Sequence, residues 1–229
     1  MAPLAPDPQL DALAATLASY TPPLVPALPG RTNHLRGGVL APLVGGGAAG
    51  PTLLLTVRAL HLRSHAGEVS YPGGQPSPED ADLTATALRE AEEELGLRTA
   101  RLLGRLSEMP LGTSDWRICP TVAQVNLAEL RPDPGEVHSL LRLPLGALLD
   151  ADAIDGVRFP LPPSYGVDSI FSPIFVGLDD NGDERRVYGG TAHSVLELLG
   201  LVAQALGRPL PPERVGGWSW GPKGPRRAG

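Results

Sequence analysis

Three glutamates within residues 73–97 have the spacing that a site for a hard divalent cation requires. Separations of three and four residues place them on one face of a helix: Glu90, Glu93 and Glu94. Unpaired like charges at these separations destabilise a helix by roughly 0.2–0.5 kcal/mol per pair, and a divalent cation would remove that cost. Carboxylates without a histidine or cysteine cluster select Mg²⁺ or Mn²⁺ over Zn²⁺. Because such a cation bridges diphosphate oxygens and holds a water for attack, these residue types point to phosphate chemistry.

Residues 83–95 predict the helix that carries this cluster, because alanine, leucine, glutamate and arginine dominate there. Gly96 stands where a C-terminal cap is favoured. Glu92 points away from the acidic face. One apolar stripe is expected to pack against the core: Leu83, Ala87, Leu88, Ala91 and Leu95.

The ordinary explanation of an acidic run is a solvated helix face, and two neighbouring features weigh against it here. Arg89 is placed to orient a carboxylate. Gly73 and Gly74 precede the helix and permit a backbone path that residues with a Cβ could not follow. Together they favour a binding site, in which the glycines let the backbone approach a substrate.

The string from Arg89 to Leu97, REAEEELGL, resembles the Nudix hydrolase motif. In that motif a glycine, a variable loop and Arg-Glu-x-x-Glu-Glu-x-Gly form a loop-helix-loop that binds metal and diphosphate. The resemblance implies that Glu90, Glu93 and Glu94 bind the metal, with Glu93 and Glu94 catalytic and Arg89 orienting them.

The match departs from the family pattern upstream of the helix. The first glycine of the motif would fall on Gln75 and its first glutamate on Ala81. The loop is therefore about a residue longer than in the family, with Asp80 or Asp82 as stand-ins for that glutamate, and no function is carried over to the position.

The stretch before the motif, LLTVRALHLRSHAGEVSYPGG, is similar to the one that marks the coenzyme A diphosphatase branch of the family, with Ala59 in place of a serine and Tyr71 in place of a phenylalanine. We expect substrate contacts from residues that this stretch keeps: Arg58, Arg63, His65, Gly73 and Gly74. For the two arginines and the histidine, structural ion pairing is an equally good explanation.

Two later segments also resemble that branch. Glu136-Val137 matches its Glu-Val, so Glu136 is a candidate for metal binding or for the general base, and an exposed helix N-cap is the alternative. Residues 186–192, RVYGGTA, resemble the branch's Ile-Trp-Gly-x-Thr-Ala, which precedes a closing helix predicted here over Val195–Leu206.

The resemblance implies Mg²⁺- or Mn²⁺-dependent cleavage of the diphosphate in coenzyme A or its derivatives, giving 3′,5′-ADP and 4′-phosphopantetheine. Without the resemblance, the residues indicate only the metal-dependent hydrolysis of a small nucleoside diphosphate derivative. Two alternatives stay open: hydrolysis of another conjugate such as ADP-ribose or NADH, and a non-catalytic Nudix module that senses a nucleotide.

The fold class is α/β, and the resemblance implies a Nudix-type α/β/α sandwich with a mixed β-sheet. We divide the chain into a Pro-rich N-terminal segment with a short helix (1–30), the Nudix domain (31–207) and a Pro/Gly/Arg-rich tail (208–229) that is mobile or wrapped on the surface. Asp7 is expected to cap the N-terminal helix. Strands are predicted at residues 36–43, 51–57, 102–109 and 119–126, with a hairpin turn at 179–182.

Composition narrows the class of partner. The net charge of −6 and the pI near 5.4 predict no nucleic-acid surface, since phosphate neutralisation needs a basic patch. Cys119 is the single cysteine and is expected to be a packed thiol. With no disulfide framework, no signal sequence and no apolar run of about 20 residues, we expect a cytoplasmic protein without a membrane partner.

Overall fold

The computed structural model describes residues 4–221 and 224–228. Residues 1–3 of the predicted N-terminal segment, and residues 222, 223 and 229 of the predicted tail, lie outside the described residues. Among the described residues, none of the helices has the length and hydrophobicity needed to cross a membrane. The α-helices are Pro8–Ser19 (α1), Leu83–Leu95 (α2), Leu145–Leu149 (α3) and Gly189–Ala205 (α4).

The largest sheet of the described chain contains eight strands: Leu35–Val44 (β1), Thr52–Arg58 (β2), Val69–Ser70 (β3), Gly73–Gly74 (β4), Ala100–Arg105 (β5), Met109–Pro110 (β6), Trp116–Val125 (β7) and Val137–Pro144 (β8). The sheet is mixed and has the order β3-β2-β1-β7-β5, with β4 beside β1, β6 beside β7 and β8 beside β2. Strands β1 and β7 run parallel, and the other pairs are antiparallel.

Alternate residues of β1 face two different hydrophobic clusters, as the two-residue period of a strand requires. Leu40 and Val44 pack with the apolar stripe of α2. Val39 and Leu43 pack in the cluster that contains α1 and α4. The sheet therefore has helices on both faces, and the predicted α/β/α sandwich with a mixed sheet is confirmed.

Close contact between α2 and β1 requires a glycine in the strand. A Cβ atom on Gly38 would lie 2.2 Å from the backbone oxygen of Leu83 and 2.8 Å from the Cβ of Thr86. Because no side chain separates the two elements, the helix that carries the acidic cluster lies directly on the sheet.

The predicted N-terminal helix is confirmed as α1. The Asp7 carboxylate accepts hydrogen bonds from the backbone N–H groups of Gln9 (2.9 Å) and Leu10 (3.1 Å), as an N-cap does. The leucines of α1 are buried in the same cluster as α4: Leu10, Leu13 and Leu17. This helix packs against the core, and the boundary at residue 30 remains a prediction.

Several element boundaries differ from the predictions, and two of these differences have a clear structural cause. The strand predicted at 102–109 is divided into β5 and β6, because the backbone N–H of Ser107 donates to the Glu197 carboxylate (2.8 Å). The closing helix begins at Gly189 instead of Val195. Gly189 has φ +63°, which turns the chain from an extended Tyr188 into the helix, and weak helix formers in the first turn hide this start in the sequence.

The second half of the chain adds short strands beside the sandwich: Ile154–Pro160 (β9), Ser169–Pro173 (β10), Phe175–Leu178 (β11), Glu184–Val187 (β12), Glu213–Val215 (β13), Trp218–Gly221 (β14) and Gly224–Arg227 (β15). The hairpin predicted around residues 179–182 joins β11 and β12. In the predicted tail, β13 pairs with β9 and β14 pairs with β15, so its described part lies against the protein. The boundary at 207 remains a prediction.

Candidate active site

Helix α2 is fixed at both ends by caps that the sequence contains. The Asp82 carboxylate accepts from the backbone N–H groups of Thr84 (2.8 Å) and Ala85 (2.9 Å). Gly96 ends the helix with φ +72°. The predicted helix over residues 83–95 is confirmed, and Glu92 faces away from the acidic cluster, where it pairs with Arg98 at 2.9 Å.

Glu94 is the most deeply buried acid of the cluster, with 3% of its surface exposed. Its Oε1 atom accepts a long hydrogen bond from the backbone N–H of Gly73 (3.4 Å). The pKa of the Glu94 carboxyl is raised to about 7, mainly by burial and also by the nearby carboxylates of Glu136 and Glu90, while the hydrogen bond from Gly73 and the charge of Arg58 oppose the shift. A buried acid surrounded by other acids is a place where a cation would be strongly favoured.

Glu90 lies beside the second glycine of the pair. A Cβ on Gly74 would come within 2.7 Å of the Glu90 carboxylate, so only glycine leaves room for this side chain. Burial raises the pKa of Glu90, while its ion pair with Arg89 (2.8 Å) opposes the shift. The structure thus gives Gly73 and Gly74 separate tasks: a hydrogen bond to one glutamate and space for the other.

Arg89 is held by Asp80 and contacts two of the predicted metal ligands. Its Nε and Nη2 atoms donate to the two carboxylate oxygens of Asp80, both at 3.1 Å. This pairing holds the pKa of Asp80 down at about 2. Arg89 also lies 2.8 Å from Glu90 and 3.0 Å from Glu93, whose side chain is 53% exposed.

Asp80 and Asp82 therefore have different partners. Sequence reasoning left both as stand-ins for the first glutamate of the motif. In the structure Asp80 binds Arg89, and Asp82 caps α2. Because the loop is longer, Asp80, nine residues before Arg89, reaches the guanidinium. Counting along the sequence could not decide which of the two aspartates does so.

Replacing Asp80 with asparagine is expected to lower turnover about tenfold, because Arg89 loses a charged partner and with it a fixed position beside Glu90 and Glu93. Asp82→Asn is the matched control, since asparagine caps a helix as well as aspartate does. Initial rates of both purified variants check this. Equal rates for the two variants would contradict a positioning role of Asp80.

A pocket of about 320 Å³ adjoins Glu94 through Gly73, which is part of its lining. Arg58 and His65, two of the predicted substrate-binding residues, also line it. The Nε atom of Arg58 is buried and has no hydrogen-bond partner among the described residues. His65 has an exposed side chain 2.9 Å from Glu68 and a backbone φ of +57°. Arg63 is exposed and does not line this pocket.

Glu136 approaches the acidic cluster from a different part of the chain. It is exposed in the turn at 133–136, and its backbone oxygen accepts from the N–H of Ala59 (2.8 Å). Its carboxylate is near enough to raise the pKa values of Glu90 and Glu94. The helix N-cap interpretation is wrong, because the residues that follow form strand β8 paired with β2.

Two aromatic residues of the pocket wall were missed by sequence reasoning. Tyr188 precedes α4, and Trp220 lies on β14 in the predicted tail, yet both line the same pocket as Arg58 and Gly73. The RVYGGTA segment gave a signal for the first, since it resembles a segment of the related branch. Trp220 had no such signal.

Comparison with known proteins agrees with this geometry. Residues 34–160, more than half of the chain, match the NUDIX domain family. The chain belongs to the Nudix family. A Nudix hydrolase NudL from Photorhabdus laumondii is 40% identical over 121 residues, which are 51% of this chain and 63% of that protein. A NudL from Yersinia pestis (strain Pestoides F) is 46% identical over 100 residues, 42% of this chain and 49% of that protein.

The match thus spans between about half and 63% of the length of these curated Nudix relatives. A crystal structure of a NUDIX hydrolase from Alicyclobacillus acidocaldarius aligns with 51% of this chain and 81% of its own, at 20% identity and a TM-score of 0.40. The family consists of hydrolases that act on pyrophosphate bonds of small nucleoside diphosphate derivatives, and its enzymes generally use divalent metal ions.

The side chains of this Nudix site are of the types that bind a divalent ion, but their present arrangement does not form a complete ion site. Glu90, Glu94 and Glu136 offer oxygen ligands only, and the buried Glu94 and half-buried Glu90 lie among like charges. Within residues 4–221 and 224–228, however, no three acidic, histidine or cysteine side chains converge closely enough to hold an ion. Arg89 pairs with Glu90 and Glu93, so an ion there requires these carboxylates to turn away from the guanidinium. The set Glu90, Glu93 and Glu94 remains a prediction.

A second cavity of about 320 Å³ lies at the other end of α2, beside Leu83 and Thr84, and none of the motif glutamates lines it. Cys119 does line it. Burial raises the pKa of its thiol to about 12, so the thiol is protonated at neutral pH. This agrees with the expected packed thiol and disfavours a nucleophilic role.

Proposed function

We propose that this Nudix protein is a Mg²⁺- or Mn²⁺-dependent cytoplasmic hydrolase that cleaves the diphosphate of coenzyme A or its derivatives to 3′,5′-ADP and 4′-phosphopantetheine. The observation that carries the proposal is the position of Glu94, a buried acid bonded to a glycine N–H that lines a pocket of ligand size. Basic side chains of the same pocket, Arg58 and His65, supply donors for phosphate oxygens.

Each group has a role that follows from its contacts. Glu90, Glu93 and Glu94 would hold the ion, which supplies charge neutralisation at the diphosphate. Arg89, anchored on Asp80, is a positioning residue for Glu90 and Glu93. Arg58, whose Nε atom has no hydrogen-bond partner among the described residues, would bind the phosphates. Glu136, exposed beside the cluster, accepts the proton of the attacking water.

The coenzyme A part of the proposal is supported by the stretch from Leu54 to Gly74. Its residues are similar to those that mark the coenzyme A diphosphatase branch, and they surround the pocket through Arg58, His65 and Gly73. ADP-ribose and NADH share the nucleoside diphosphate part of coenzyme A, so the same groups would accept them. Coenzyme A differs from both in the second arm of the molecule and in the 3′-phosphate on its adenosine ribose.

A nucleotide-sensing module is the second candidate, because Arg89 pairs with two of the three expected metal ligands. Such a module would bind a nucleotide without cutting it. The two candidates differ in turnover, which a single assay measures.

The deciding experiment is a substrate panel of coenzyme A, NADH and ADP-ribose with Mg²⁺ or Mn²⁺, with the products identified by mass. We expect the highest initial rate on coenzyme A and the release of 3′,5′-ADP. A higher rate on NADH or ADP-ribose would reject the proposed substrate. Binding of all three compounds without any cleavage would instead support the sensing module.

A further inference from the structure

Trp220 is an aromatic residue far beyond the matched Nudix domain that nevertheless lines the candidate substrate pocket. Its ring centroid lies 5.6 Å from that of Tyr188, with the planes at 87°, and 5.1 Å from that of Phe159, with the planes at 79°. Both contacts are edge-to-face arrangements, which aromatic pairs favour. The indole is therefore held in place, although 41% of its surface is exposed.

The strands around Trp220 are anchored to the rest of the protein by several contacts, and these contacts fix the position of Trp220. Trp218 is 6% exposed and packs with Val157 and Ile174. The Nη1 atom of Arg186 donates to the backbone oxygen of Pro225 at 2.8 Å. An anchored segment that leaves a large aromatic side chain exposed in a pocket is typical of a binding surface.

The pocket connects this indole with the predicted diphosphate site. Arg58 and Gly73 lie in the same lining as Tyr188 and Trp220, and the N–H of Gly73 donates to Glu94. A ligand whose phosphates contact Arg58 must place its remaining parts against the rest of this wall. The exposed indole is the largest flat side chain in that wall.

We infer that Trp220, supported by its perpendicular contact with Tyr188, is the surface on which the nucleobase of the substrate stacks. The antiparallel pair of β14 and β15 is then a specificity element of the active site. This inference rests on the proposed function, since it requires a nucleoside diphosphate substrate. Stacking suits this surface because every base has a π-face and an indole offers the largest aromatic plane among the side chains.

The test compares two probes that differ only in the base, adenosine 5′-monophosphate and ribose 5-phosphate, by calorimetric titration of the full chain with Mg²⁺ present. Trp220→Ala is expected to weaken binding of the nucleotide about tenfold and to leave ribose 5-phosphate within about twofold. Trp220→Phe should retain most of the nucleotide affinity. Val215→Ala changes an exposed residue of the same segment and should alter neither affinity.

Three results would overturn the inference: no binding of adenosine 5′-monophosphate to the unaltered chain, unchanged nucleotide affinity in Trp220→Ala, or an equal loss for both probes. Circular dichroism verifies the fold, and Trp220→Leu, which keeps apolar bulk without a π-face, replaces the alanine variant if that variant does not fold. Because these readouts need no turnover, base-dependent binding through Trp220 without cleavage of coenzyme A would support the stacking site and reject the proposed substrate.

Discussion

Replacing Glu94 with glutamine is expected to lower turnover by about 10²- to 10³-fold without unfolding the protein. The amide has almost the shape of the carboxylate and can still accept the hydrogen bond from the Gly73 N–H. What it loses is the negative charge, which the proposed metal and the transition state both require. Initial rates with saturating Mg²⁺ measure the effect.

Glu94→Gln lowers turnover, but in metal-free buffer at high pH it should increase the stability of the fold. The pKa of Glu94 rises from 4.5 to about 7 on folding, so its stabilising effect is complete below pH 4.5 and is lost as the pH rises through about 7. At pH 8 ionisation of this buried acid lowers the free energy of unfolding by about 3 kcal/mol, a cost that glutamine does not have. Glu94→Gln should therefore unfold at a higher temperature than the unaltered chain at pH 8 with EDTA, and at a similar temperature at pH 4.5.

Glu92→Gln is the matched control for both measurements. This residue belongs to the same glutamate string, but it is exposed and pairs with Arg98, away from the cluster. Its rate and its pH dependence of unfolding should stay close to those of the unaltered chain. Mg²⁺-dependent turnover retained in Glu94→Gln would refute the role of Glu94. Equal stability of the two variants from pH 4.5 to 8 would refute its raised pKa.

Replacing Gly73 with alanine is expected to lower the free energy of unfolding by about 3 kcal/mol and to reduce turnover. The residue has φ +152°, and an added Cβ would lie 2.6 Å from both the Gly38 backbone oxygen and the Val39 Cα. These are backbone atoms that cannot rotate away, so β4 must separate from β1. Glu94 then loses its N–H donor, and the pocket loses part of its lining.

Gly182→Ala separates the effect of the clash from that of backbone strain. Gly182 also has a positive φ, +83°, but a Cβ there would meet no atom within 4 Å. Its substitution should cost about 1 kcal/mol and leave turnover unchanged. Chemical denaturation of both variants, with initial rates, checks the prediction. A Gly73→Ala variant no less stable than Gly182→Ala would contradict the close approach of β4 to β1.

The sequence by itself determined the local elements of the site. Helix α2 and the face that carries its glutamates are defined by local signals: the composition, the apolar stripe that ends at Leu95, the Asp82 cap and Gly96. Each of these signals acts within a few residues of the chain. The periodicity of the strands gave the α/β class for the same reason. The REAEEELGL string was sufficient to indicate the family that the domain match confirms.

Only the tertiary structure decided which distant groups meet these elements. The structure shows that Asp80, and not Asp82, pairs with Arg89. It also shows that Glu136 approaches Glu94 and that Trp220 lines the same pocket as Arg58. Each of these contacts joins segments that only the folded chain brings together. Burial and Coulomb forces act through space, so the pKa of Glu94 and the lining of the pocket depend on packing that no sequence spacing encodes.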